Sequence, residues 1–346
     1  MGTDESPESS SEPSVFETTA TYEQTKLEVY QEQLDRWIVA PMKILWSDYR
    51  GRFGLIVVTF YVLMGTVGTM IIEPPSPNMT NQMIPAFSDP AHPLGSDGLG
   101  QDMLSLMVWA TPDMLKMILA GAIFGNLLGV SIGLFSGYVS GTTDKVIMTI
   151  TDTIMSIPGI PLLIILAAIL EPTNPFLIGI ILNIQGWAGQ ARILRSQVFP
   201  LVHTEHVEAA RAMGQPMSAI LVKEILPHLL PYIFIGFLGG ATTIVFASVA
   251  LYFLGILPFD NENWGVTLNY AYETGALYST AAAHWLMVPL VTIVGLTVGL
   301  TLLAQAFDQV FNPRVRARHQ ARKQGDGKER EQDPDLDTAV DQMDTM

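Results

Sequence analysis

The chain has no cysteine among its 346 residues, which excludes disulfides, thiolate metal sites and cysteine nucleophiles. Charge is scarce too: Asp, Glu, Lys and Arg together make up 15% of the chain, where a soluble domain carries roughly a quarter. Basic residues are the scarcer kind, 18 against 33 acidic. The resulting net charge of −15 argues against nucleic acid as a partner, because phosphates are bound through Lys and Arg. No glycine-rich phosphate loop followed by Lys-Ser or Lys-Thr occurs, so ATP is not bound by the P-loop route. His203, His206 and Glu208 stand close in sequence but lack a further placed ligand, and no Ser-His-Asp constellation can be argued. Neither catalysis, a metal nor a cofactor is expected of this chain. Its polar, acidic start has no basic stretch leading directly into an apolar one. No cleavable signal peptide is therefore expected, and the first apolar span should insert uncleaved.

What the chain does have is apolar length, with 49% of residues hydrophobic. Crossing ~30 Å of hydrocarbon takes about 20 helical residues. Stretches of that kind are expected at about 54–72, 116–138, 145–170, 176–198, 228–255 and 284–308. Acidic, polar tails flank them, over residues 1–45 (with a possible amphipathic helix) and 317–346. These tails cannot bury enough apolar area to fold alone, which leaves residues 46–316 as the membrane domain. Five basic residues precede the first span, from Lys26 to Arg52, and seven follow the last, from Arg314 to Arg330. Lys145, Arg192, Arg195, Arg211 and Lys223 lie at or between span ends on the same side. The opposite loops contain no Lys or Arg, and Lys116 sits at a span boundary. Basic residues mark the cytoplasmic side. The expectation is an all-α integral protein of the cell membrane with six crossings and both termini cytoplasmic.

Several features interrupt the apolar pattern. Gly121, Gly125, Gly129, Gly133 and Gly137 recur every fourth residue, which makes a stripe where another backbone can approach closely. The stripe suits tight packing, or a surface that slides between conformations. Pro158-Gly159-Ile160-Pro161 predicts a kink or break inside the third span. Backbone groups freed there must be satisfied by protein or by water in a cavity. Asp152, Asn183 and Gln185 are candidates for a polar path or for links between helices, since ionisable groups within spans are functional candidates by default. Asp152 could instead be a structural partner of Thr151, Asn126 or a backbone group.

Between the fourth and fifth spans, over 199–227, lies the longest internal segment on the basic side. It carries His206-Val207-Glu208-Ala209-Ala210-Arg211-Ala212-Met213-Gly214 and then Ile225-Leu226-Pro227. A short Ala/Glu helix ending at a glycine is expected, followed by a second helical stretch over 217–225. At this position the segment resembles the "EAA" coupling loop of ABC importer permeases, with Glu208, Ala209, Ala210, Gly214, Leu226 and Pro227 matching. Glu224 departs from the aliphatic residue usual in the wider superfamily. A second segment, His92-Pro93-Leu94-Gly95-Ser96-Asp97-Gly98-Leu99-Gly100-Gln101-Asp102 with Ser105, resembles the outside-loop signature of dipeptide/oligopeptide/nickel permeases of the "C" type. In it, Leu94, Gly95, Asp97, Gly100 and Asp102 are the matching positions, and Gln101 and Leu106 replace the usual arginines. Read without the resemblance, this segment is a glycine-rich turn opening a helix, with Asp97 or Asp102 as the cap. Asp152 with Pro158-Gly159, Ala191-Arg192 through Gln197, Trp264-Gly265 and Asn312-Pro313-Arg314 extend the likeness over about 49–314.

The resemblance implies a type I importer fold, in which this chain is one permease subunit of a heterodimer with a homologous permease. It also implies two cytoplasmic ATP-binding subunits and an external solute-binding protein. Di- or oligopeptides would be the cargo, with nickel complexes or sugars as alternatives. The loop around Glu208–Gly214 would receive force from the ATPases and drive alternating access. A rival reading is a stand-alone secondary transporter or channel coupled through Asp152. It calls for an internal repeat, which the two halves do not show. A purely structural membrane protein has no use for both signatures.

Overall fold

A computed structural model describes residues 45–46, 48–259 and 262–311 of the chain, with side chains up to 308. The tails expected at 1–45 and 317–346, the basic residues within them, and Asn312-Pro313-Arg314 lie outside the described residues, apart from Leu45. All described secondary structure is helical, apart from two isolated bridges, Asp89 with His92 and Ser96 with Asp102.

Helix α1, Tyr49–Leu63, continues through a π-helical turn, Met64–Gly68, to Ile71. The Asp48 side chain accepts a hydrogen bond from the Arg50 N–H at its start. Helix α2 runs 37 residues, Met103–Val139, about 55 Å at the α-helical rise. That is longer than a bilayer core. It begins thirteen residues before the span expected at 116, because Asp102 caps it and Pro112 is tolerated within it. Helices α3, Gly141–Ser156, and α4, Gly159–Leu170, meet at an 80° bend. The break falls at Ile157-Pro158, where both residues are extended; Pro158 disfavours a helical conformation for Ile157 before it.

The span expected at 176–198 is instead two helices, α5, Pro175–Leu182, and α6, Gly186–Leu201. Asn183 ends α5: its side chain turns to another helix, and its N–H is shared among the Gly179, Ile180 and Ile181 carbonyls. Helix α7, Glu205–Ala212, follows. After Met217–Ala219 and a π-helical turn, Ile220–Ile225, comes α8, Leu226–Phe253. The helical run is continuous from Met217 to Phe253, so the second stretch of the loop merges into the next span rather than preceding it. Pro227 lacks an N–H, and the adjoining turn is wide: the Leu226 N–H reaches Leu221 O, five residues back. Helices α9, Trp264–Glu273, and α10, Ala283–Phe311, complete the bundle. Four described helical runs are each long and apolar enough to cross a membrane: Tyr49–Ile71, Met103–Val139, Met217–Phe253 and Thr280–Asp308. The bent α3–α4 pair makes a fifth if counted as one span.

Two apolar cores hold these elements. The larger gathers Met103, Met107, Met114 and Met117 of α2 with Ile244, Val245 and Tyr252 of α8, Trp264 of α9, and Trp285 and Leu296 of α10. The buried Trp264 Nε1–H donates to Met107 O at 3.2 Å, and Asn263 caps α9 through Gly265 N at 2.7 Å. Helix α1 lies along α10. A Cβ on Gly54 would come within 2.8 Å of Gly299 O, and Tyr61 O–H donates to Thr292 O at 2.7 Å. The smaller core joins Leu134 of α2, Leu194 and Val198 of α6, Val207 and Ala210 of α7, and Ile225 and Leu229 at the base of α8.

Candidate functional site

Helix α7 is a short knob on an apolar footing. Its residues Val207 and Ala210, three apart, are 0% and 2% exposed in the smaller core. Glu208, Ala209 and Ala212 are exposed on the other side. The charges suit the helix dipole, with Glu205 and Glu208 in the first turn and Arg211 in the last. The end is a Schellman motif: Gln215 N–H bonds to Ala210 O at 3.1 Å and Gly214 N–H to Arg211 O at 3.0 Å. Gly214 closes it at φ +73° with nothing within 4 Å of an added Cβ. A side chain there would meet backbone strain but no neighbour. Met213, 72% exposed, forms the tip, while the Arg211 guanidinium lies 5.4 Å from the Tyr138 ring centroid. Leu226 packs against the same core from below, and Pro227 is half-buried beside it. Glu208, Ala209, Ala210, Gly214, Leu226 and Pro227 are therefore gathered around one exposed, rigidly footed helix. Ala210 faces inward.

The 92–105 segment is built around its aspartates. Asp102 caps α2 by accepting from Ser105 N at 2.8 Å, and its other oxygen meets His92 Nδ1 at 3.1 Å. Buried Asp97 accepts from Gln101 N at 2.7 Å and Leu99 N at 2.9 Å, which closes the turn. Burial pushes the Asp97 carboxyl above the ordinary Asp range, opposed by these backbone donors. Gly95 and Gly100 sit where a Cβ would come within 2.3 Å of Ile84 O and 2.5 Å of Thr80 O, so the 73–91 loop lies directly on the segment. Leu94 packs against the larger core. Buried His284, at the start of α10, meets Ser96 O through Nε2 at 2.8 Å. The segment thus seats the starts of α2 and α10 together, with Asp102 as the helix cap and Asp97 closing the turn.

The candidate polar residues serve three different helix junctions. Asn183, 5% exposed, donates to Gly121 O at 2.7 Å. Gln185 Nε2 donates to Ile154 O at 3.2 Å and Ile157 O at 3.1 Å. Ile154 stands four residues before Pro158, so its carbonyl lacks the usual i+4 donor; the Ile157 N–H at 3.3 Å and Gln185 Nε2 share it instead. Asp152 pairs with Arg192 of α6, rather than with Thr151, Asn126 or a backbone donor. Thr151 Oγ1 donates to Ile147 O instead, and Asn126 Oδ1 is buried without a partner. The glycine stripe packs on α5 and α6: added Cβ atoms would meet Gly179 O at Gly121, Asn183 at Gly125 and Ala191 O at Gly133. A 380 Å³ apolar cleft opens beside it between Phe135, Ile147, Ile150 and Trp187. Sequence reasoning missed Asp144, 6% exposed, which Arg195 grips through two nitrogens, one contact at 2.7 Å. The available signal was an aspartate of α3 and an arginine of α6 at adjacent span ends.

Apolar helices of this length, closely packed against one another, define a multi-pass integral membrane protein. Its residues 129–317 match the model of the family described as "Binding-protein-dependent transport system inner membrane component". The chain belongs to that family, the permease subunits of ABC importers. It is similar to the oligopeptide transport system permease protein OppC of Bacillus subtilis, 31% identical over 64% of this chain and 75% of the relative. The dipeptide transport system permease protein DppC of the same organism is 27% identical over 76% of this chain and 81% of the relative. A glutathione transport system permease protein, GsiD of Pectobacterium atrosepticum, is 30% identical over 66% of this chain and 74% of the relative. Among solved structures, an inward-facing form of the MetNI methionine ABC transporter is similar at a TM-score of 0.47 and 21% identity. That match covers 60% of this chain and 96% of the other.

Proposed function

We propose that this chain is a translocating subunit of an ATP-driven importer for di- or oligopeptides, working by alternating access across the cell membrane. Six crossings with both termini cytoplasmic account for the basic residues, seventeen of which then share one side. In this reading the α3–α4 pair and the α5–α6 pair each cross once as a broken span. Residues 46–316 form the permease domain, and the tails stay in water. A homologous permease pairs with this chain, two ATP-binding subunits dock from the cytoplasm, and an external binding protein delivers the cargo. Peptide as cargo rests on the relatives, whose names are oligopeptide and dipeptide permeases.

The observation that carries this reading is α7: an exposed helix whose buried face is continuous with α2, α6 and α8. A push on Glu208, Ala209 or Gly214 reaches three spans through packed side chains. A motor that favours one state of the bundle must act through such a contact, because an equilibrium shifts only by differential interaction. Ion coupling through Asp152 is disfavoured by its engagement with Arg192. The test is purification from native membranes in mild detergent. P-loop ATPase subunits are expected to accompany the chain, and to be lost on Glu208→Arg. Peptide uptake by vesicles holding this chain alone would overturn the reading.

A further inference from the structure

Helix α3 is attached to the rest of the described chain in an unusual way. Of its sixteen residues only Asp144 and Thr151 are buried, and neither apolar core contains a residue of α3. Its links to α6 are polar. Asp144 and Asp152 lie eight residues apart on one face of α3, and Arg192 and Arg195 lie three apart on α6. They pair in antiparallel register, Asp144 with Arg195 and Asp152 with Arg192.

The two rungs differ. Asp152 and Arg192 are about half exposed, at 48% and 53% of their side chains. The Asp144 side chain is 8% exposed and also accepts from Ser136 Oγ of α2 at 2.5 Å, so it ties three helices at one point. Gln185 adds a third tie by bonding the carbonyls at the α3–α4 break. Helix α6 runs through Val202 into α7, and its other face, Ala191, Leu194 and Val198, is locked against the glycines of α2.

We infer that Asp144 and Arg195 are positioning residues for transport: their ion pair, clasped by Ser136, makes α3 follow α6 when the coupling helix is displaced. This rests on the coupling role proposed for α7. Without the pair, α6 and α2 still move with α7 through their apolar contacts. Helix α3 has no packed core to carry it and lags behind. Hydrolysis then continues while solute movement fails.

The test uses the full importer reconstituted in proteoliposomes with radiolabelled trialanine as probe, read as uptake per ATP hydrolysed. Arg195→Gln and Asp144→Asn are expected to keep hydrolysis within about twofold while the ratio falls about tenfold, within the range of inter-site coupling. Exchanging the charges, Asp144→Arg with Arg195→Asp, is expected to restore much of the ratio, which no role confined to either residue alone would do. A native ratio in the single variants overturns the inference, as does a proportional loss of hydrolysis and uptake. Should the buried variants fail to assemble, the exposed rung decides. Arg192→Gln is expected to lower the ratio by about threefold, and a native ratio there counts against the inference.

A second readout needs no solute. Because the chain has no cysteine, spin labels on Thr153→Cys of α3 and Ser196→Cys of α6 are unique within it, and both sites are exposed; the partner subunits are used in cysteine-free form. Their separation is expected to be the same with and without ATP in the parent, and to change with nucleotide in Arg195→Gln. A separation insensitive to nucleotide in both overturns the latch alone. Absence of ATPase subunits from the native complex overturns the coupling role beneath it.

Discussion

The side chain of Asn183 donates a 2.7 Å hydrogen bond to the carbonyl oxygen of Gly121, at the level where α2 and α5 come closest. One turn earlier on α5, a Cβ on Gly179 would stand 2.1 Å from Met117 O, and one on Gly121 would stand 2.1 Å from Gly179 O. The two backbones touch there, and the span containing Asn183 breaks beside the contact.

This contact predicts that Gly179→Val leaves no room for its side chain. Overpacking typically costs about 1–3 kcal/mol and occasionally more, and here the obstacle is backbone. Asn183→Leu loses a buried hydrogen bond, costing about 1–3 kcal/mol. Thermal unfolding of the detergent-solubilised protein, followed by loss of the monodisperse peak, should show both variants destabilised. Equal midpoints for parent and Gly179→Val would contradict the close approach.

At the coupling helix, the exposed and buried positions should separate. Glu208→Ala is exposed and is expected to leave the unfolding midpoint unchanged while lowering ATP-dependent uptake. Val207→Ala empties part of the smaller core, and deleting buried methyls of this size costs about 1–3 kcal/mol. Gly214→Ala forces a side chain into a left-handed backbone, at a cost of about 1 kcal/mol. Midpoint and uptake measured together on the three variants test the division. Full uptake in Glu208→Ala would remove the residue from the docking surface.

Asp102 offers a cap test away from the membrane interior. Asp102→Ala is expected to destabilise the start of α2 by about 1 kcal/mol, and Asp102→Asn by much less, since an amide oxygen still accepts from Ser105 N. Hydrogen exchange at 103–106 checks this: faster exchange is expected in Asp102→Ala and near-parent rates in Asp102→Asn.

Asp97 gives a pH dependence of definite sign. Its folded-state pKa is raised by burial, so above the ordinary Asp value the unfolded chain has released a proton that the native state still holds. Stability from this residue therefore falls as pH rises from the ordinary Asp pKa to the raised native one, and is level beyond it. Asp97→Asn keeps an oxygen for Leu99 N and Gln101 N and removes the slope. Unfolding midpoints across pH 3 to 7 should show a smaller decline through that window in the variant. An identical decline in both would assign it elsewhere.

Much of this protein could be read from the chain because bilayer insertion leaves a one-dimensional record. Runs of apolar residues over Tyr49–Ile71, Met103–Val139, Met217–Phe253 and Thr280–Asp308 meet or exceed the about 20 residues that a helix needs to cross hydrocarbon. The α3–α4 break was legible because Pro158 and Pro161 act locally on φ and on the hydrogen-bond ladder. The α7 knob was legible because Gly214 and the Glu-Ala-Ala run act within one turn of helix. The break at Asn183 was not, since what ends α5 there involves a carbonyl sixty-two residues away. Asp152 illustrates the same limit. Its charge marked it as a candidate, but its partner, Arg192, lies forty residues on.

By itself, the sequence determined the helical class, the apolar lengths, the proline break, the two motif segments and the lack of any cysteine or phosphate-loop chemistry, because each of these follows from composition or from neighbours within a few residues. Only the tertiary structure decided what each polar group is for. Gln185 serves the carbonyls left at a proline break, Asp97 closes a turn, Asp144 ties three helices, and Ala210 of the motif faces inward while Glu208 faces out. The reason is that a buried polar group must find a partner wherever folding brings one, and that partner is set by distance in space rather than by separation along the chain.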